Sequence, residues 1–88
     1  MYDILPYSYK KAKLLDVKIY QSSNHNKKID VYKNGSKIAS IGAIGYLDYP
    51  TYLKNNGAIQ AKERQKLYHI RHKNDKGLNG YYAKNILW

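Results

Sequence analysis

The stretch KKIDVYKNGSKIASIG, Lys27 to Gly42, decides the fold. At its centre Asn34-Gly35 separates two β-prone runs and supplies the two positive φ angles that a type I′ hairpin turn requires. A two-residue turn sets the register: Lys33 opposite Ser36, Tyr32 opposite Lys37, Val31 opposite Ile38 and Ile29 opposite Ser40. Side chains alternate along a strand, so Ile29, Val31 and Ile38 then share the core face and Asp30, Tyr32 and Lys37 the other. Upstream, Val17, Ile19 and Gln21 alternate with Lys18 and Tyr20, the period of a half-buried strand. The polar run SSNHNKK joins this strand to the hairpin. The result is a three-stranded antiparallel meander whose apolar face needs a cover to become stable.

Helices on both sides of the meander are predicted to supply it. Ser8 precedes YKKAKLL and can accept a first-turn backbone N–H, which predicts a helix from about Tyr9 to Leu15 with Pro6 outside it. Beyond the sheet, Gly42 and Gly45 mark a turn. They lack the Lys-Ser/Thr of a phosphate-cradling loop, so a structural role is preferred. Asp48 then serves as an N-cap with Pro50 in the first turn, predicting a helix over Tyr49 to Lys54 that stops at Asn56-Gly57. Ala58 to Asn74 carries the longest helical pattern, with Ile59, Leu67 and Ile70 on one side as its core-facing seam. After the connection KGLNG, the closing YYAKNILW is compatible with a final short helix. The expected fold class is α+β: one domain over residues 1–88, a three-stranded antiparallel sheet, a short N-terminal helix, and two or three C-terminal helices on one face.

Eighty-eight residues cannot support two cores. There is no cysteine, which removes disulfides and thiolate chemistry and leaves stability to packing or association. No apolar run reaches the roughly 18 residues of a membrane span, and the opening MYDILPYSYKKAKLLD lacks the pattern of a signal peptide. The expectation is a protein that is not secreted and has no membrane partner. Sixteen Lys and Arg against six Asp and Glu give a net charge of +10, which concentrates anions around the fold. A polyanion is the partner this implies, with nucleic acid first and DNA ahead of RNA.

All the cations but Arg64 and Arg71 are lysine. Lysine suits phosphates as a point charge, whereas bidentate reading of guanine falls to arginine, so binding is expected to be backbone-directed with low sequence specificity. Eleven tyrosines and one tryptophan add rings able to fill a core or stack on a base. On the long helix Lys62, Lys66, His69 and Lys73 line up at spacings of four, three and four, and Arg64, Tyr68 and Arg71 form a second row. Glu63 is the helix's single acid within its regular part. Lys62, Arg64, Lys66, His69, Arg71 and Lys73 form the predicted nucleic-acid-binding site, with Lys10, Lys11 and Lys13 as a second patch.

Catalytic and metal chemistry are not predicted. His69 and His72 form a pair one turn apart, but with His25 they fall short of the four ligands of a structural zinc site. No cofactor is implied. A nuclease would draw on Tyr68, His69, Arg71 and His72, yet the acids needed to hold a catalytic metal are scattered along the chain.

The phrases KKIDVYKNGSKIASIGAIGYLDYPTYL, RQKLYHIRHKND and GYYAKNILW together resemble a family of small basic proteins of unknown function from giant DNA viruses, marseillevirus-like. The resemblance runs from ILPYSYKKAK to the terminal tryptophan. It implies a viral protein inside the infected cell or the virion interior, where it would accompany a packaged genome. The alternative is a structural virion-interior component that binds acidic protein partners. Finally, Tyr81, Tyr82, Ile86, Leu87 and Trp88 form an apolar tail that must pack on its own core or on a second copy. A homodimer through this segment is the expectation.

Overall fold

The computed structural model describes residues 2–88 and shows the α+β arrangement. Asn34 and Gly35 take φ angles of 53° and 81°, and the turn they form joins β2 (Lys27–Lys33) to β3 (Ser36–Ala43). Strand β1 (Lys18–Gln21) pairs antiparallel with β2 on its other side, giving the order β1-β2-β3.

The first two rungs of the hairpin follow the turn, Lys33 opposite Ser36 and Tyr32 opposite Lys37. Beyond them the register slips by one, so that Val31 faces Ala39 and Ile29 faces Ile41. Ile38 is the additional residue of a bulge. Because the side-chain period is two, one inserted residue inverts the inward set on β3. Ala39 and Ile41 therefore enter the core, 6% and 1% exposed, in place of the expected Ile38, which is only half-buried.

Asp30, expected to face solvent, is buried as well. Its Oδ1 accepts from the hydroxyls of Ser22 and Ser40, each at 2.7 Å, and its Oδ2 from the Ser23 N–H at 3.3 Å. Burial alone would push this carboxyl up. The hydrogen bonds and nearby Lys37 outweigh it and hold the group below the usual carboxylate range.

Helix α1 covers Pro6–Leu14, starting earlier than expected. Pro6 occupies the first turn, where its missing N–H costs nothing, and Leu5 precedes the helix without a side-chain cap. Ser8 is not the N-cap. It is fully buried within the helix and donates its hydroxyl to the Ile86 carbonyl at 3.0 Å. Helix α2 (Tyr49–Asn56) keeps the predicted cap, since Asp48 Oδ1 accepts from the Thr51 N–H at 3.0 Å, and runs two residues further than expected. Helix α3 spans Ala58–Arg71, short of the predicted Asn74. Helix α4 (Leu78–Tyr82) runs into a π-helical turn, Ala83–Leu87.

This C-terminal segment joins the core of its own chain. Ile86 and Leu87 are 0% and 1% exposed and cluster with Ile29, Val31 and Ile41 of the sheet and Ala12 of α1. Tyr82 is buried with them, Trp88 is half-buried, and only Tyr81 of the proposed dimer segment stays exposed. Gly42 marks how closely the tail approaches the sheet. A Cβ there would lie 2.7 Å from Leu87 Cδ1 and 2.9 Å from Lys28 Cδ, and the residue's φ of +78° already favours glycine.

Helices α2 and α3 pack chiefly on each other and are moored to the rest at two points. At the start of α2, the buried Lys28 ammonium donates to Asp48 Oδ2 at 2.8 Å and to the Tyr46 carbonyl, and the Tyr2 hydroxyl donates to the same Asp48 oxygen at 2.7 Å. Burial, followed by the Asp48 hydrogen bond and charge, pushes the Tyr2 phenol far up. The second mooring is Trp88.

Candidate nucleic-acid interface

The inner side of α3 is set by what can lie against Trp88. Ala61 is fully buried, and Gln65, Tyr68, His69 and His72 follow at helical spacing, all half-buried. Gln65 donates its side-chain amide to the Trp88 main-chain oxygen, and His69 Nε2–H donates to the same oxygen at 3.3 Å. The Trp88 indole lies flat on Tyr68, centroids 4.4 Å apart and planes 5° apart, and Tyr68 in turn stacks on His72 at 4.2 Å. Asp75 accepts from His72 Nδ1–H at 2.7 Å and fixes the end of this pile. Burial, and after it the charge of Asp75, pushes the Tyr68 phenol up. Both faces of Tyr68 are covered, so the pile is an internal pillar and not an open platform.

Beside the pillar a groove of about 600 Å³ opens between α3, the β3–α2 loop, the ends of β2 and β3, and α4. Both arginines line it, together with Lys27, Tyr46, Tyr52, His72 and Asn79. The Arg64 guanidinium lies over the Tyr52 ring at 5.8 Å. The row Arg64, Tyr68 and Arg71 read from the sequence is thus brought together at one site.

The other predicted row is not. His69 turns inward to Trp88, while Lys62, Lys66 and Lys73 stand exposed outside the groove lining. Between the two sets of cations lies the seam Ile59, Leu67 and Ile70, expected to face the core. It is exposed instead, Ile59 at 89% and Ile70 at 56%, because α3 packs through other residues on α2 and on Trp88. Lys10 and Lys13 of α1 are exposed and Lys11 is half-buried, its ammonium 5.9 Å from the Tyr7 ring. Lys13 lines a different hollow of about 1100 Å³, with Lys18, Lys33, Tyr20 and Tyr32. The second patch and the arginine groove are therefore separate.

Ion pairs among the described residues are Lys28–Asp48 and Lys37–Asp30, and His72 hydrogen-bonds to Asp75. Arg64, Arg71, Lys62, Lys66 and Lys73 take part in none of them. With Asp30 and Asp48 drawn into the interior, acids are scarcer on the surface than composition implies, which leaves the cations of α3 free to meet external anions. His25 is exposed in the β1–β2 connection, apart from the other two histidines. No group of three or more His, Asp or Glu that could hold a metal ion occurs among the described residues.

The sequence reading missed Lys27, Tyr46, Tyr52 and Trp88 as groove residues. Of these, Trp88 had the clearest signal, as the chain's one tryptophan. No helix among the described residues is long and apolar enough to cross a membrane. No protein-family model matches the chain, and neither a curated protein nor a solved structure matches it.

Proposed function

We propose that the protein binds nucleic acid, chiefly through phosphates and with low sequence specificity, with double-stranded DNA as the leading partner. The observation that carries this reading is the set of cations on α3, on both sides of its exposed seam, that form no ion pair with a side-chain carboxylate among the described residues. Lysine and arginine left unpaired on one helix offer phosphates the charge that internal acids would otherwise neutralise. Lys62, Lys66 and Lys73 suit a duplex backbone because they stand clear of the groove. The resemblance to giant-virus proteins would set this activity in the virion interior or the infected cell.

A salt-titrated gel shift with duplex DNA and RNA tests it. Affinity should fall steeply with salt, with a log-log slope of about 0.9 per phosphate contact on duplex DNA. Lys66→Glu with Lys73→Glu should weaken all sequences alike and flatten that slope. Tight binding indifferent to salt would overturn the mechanism. A second reading, docking to an acidic protein partner, draws on the exposed Ile59, Leu67 and Ile70 between two cationic flanks. Retention on heparin without a shift of DNA or RNA at moderate salt would favour it.

A further inference from the structure

We infer that the arginine groove holds an unpaired nucleotide, so that the protein takes a single strand there in addition to any duplex on the lysine face. This rests on the nucleic-acid reading and specifies the form of nucleic acid that enters the groove. A volume of about 600 Å³ is that of a small-ligand pocket. A duplex keeps its bases stacked inside, and a paired base reaches such a pocket only by being flipped out. An unpaired one can enter directly.

The walls supply both kinds of contact that a nucleotide needs. Arg64, Arg71 and Lys27 line the groove as phosphate partners, and none forms an ion pair with a described residue. The stacking surface is Tyr46. Tyr68 is enclosed between Trp88 and His72 and has no face to offer. Tyr46, by contrast, is 75% exposed at the groove's lip, while its backbone carbonyl is held by the buried Lys28 ammonium. An exposed ring on an anchored backbone is a stacking platform with little of its loop left to order on binding.

Anisotropy titrations with fluorescein-labelled oligothymidine and a hairpin duplex of equal charge, at one salt concentration, test the inference. The expected result is binding of the single strand at least as tight as that of the duplex, with a change in Trp88 emission that the duplex does not produce. Tyr46→Ala and Arg71→Ala should each weaken the single strand roughly tenfold, in line with the value of base–aromatic stacking, and the duplex less than threefold. Tyr46→Phe, which keeps the ring, should bind as the parent does, and circular dichroism confirms that each variant is folded. If the duplex binds as tightly as the single strand and Tyr46→Ala changes neither, the single-strand inference falls while nucleic-acid binding stands. If neither oligonucleotide binds, both fall.

Discussion

On α3 the covered side chains are Ala61, Gln65, Tyr68, His69 and His72, whereas Ile59, Leu67 and Ile70 stand in solvent. The polar side is inside and the more apolar side is out. The difference lies in the partner and not in the helix: Trp88 presents a flat ring and a main-chain oxygen, which Tyr68, Gln65 and His69 can match and branched aliphatic side chains cannot. Ala61, with almost no side chain, adds a point of close packing on the same side. The arrangement also sorts the cations, sending the two arginines to the concave side beside the pillar and the lysines to the convex one.

The most severe way to break this contrast is to release α2 and α3 from the sheet. Lys28→Ala leaves the Asp48 carboxylate buried without its cation, and a loss of about 3–5 kcal/mol is expected on chemical denaturation. Lys66→Ala, the same change on the convex side, should stay within about 0.5 kcal/mol. Equal effects at the two lysines would contradict the buried pairing.

Removing the pillar is the next largest perturbation. Trp88→Ala deletes the ring against Tyr68 and should cost about 3 kcal/mol, at the low end for an aromatic truncation because the ring is only half-buried. Hydrogen exchange along α3 should accelerate more than exchange in the sheet. A loss below about 1 kcal/mol would show that something other than the stack positions α3.

The smallest effect belongs to the exposed seam. Ile59→Ser and Ile70→Ser should each change stability by no more than about 0.5 kcal/mol, since both residues keep more than half of their surface in water. A loss above about 2 kcal/mol, together with a change in sedimentation, would mean that this side is covered by another molecule in solution.

Local chemistry carried much of the fold into the sequence. Asn34-Gly35 specified the turn because few residue pairs tolerate two positive φ angles. Asp48 and Pro50 specified the start of α2, because the cap and the missing N–H act within one turn. Period-two alternation located β1 and β2. The predicted row Arg64, Tyr68 and Arg71 was legible through helical spacing alone, and the three residues do share the groove.

What the tertiary structure decided are choices between locally equivalent options. The bulge at Ile38 depends on which β3 residues fit beneath the C-terminal segment, and Ala39 and Ile41 fit where Ile38 and Ser40 would have pointed. Ser8 could cap a helix or bond across one, and the Ile86 carbonyl, 78 positions away, settled it. The tail Tyr81–Trp88 could cover its own sheet or a second copy, and the glycine gap at position 42 admits Leu87 from within the chain. The side α3 buries follows from the same long-range placement: periodicity reports which residues share a side, but only the surface waiting opposite, here α2 with the Trp88 ring and main-chain oxygen, determines which side loses its water.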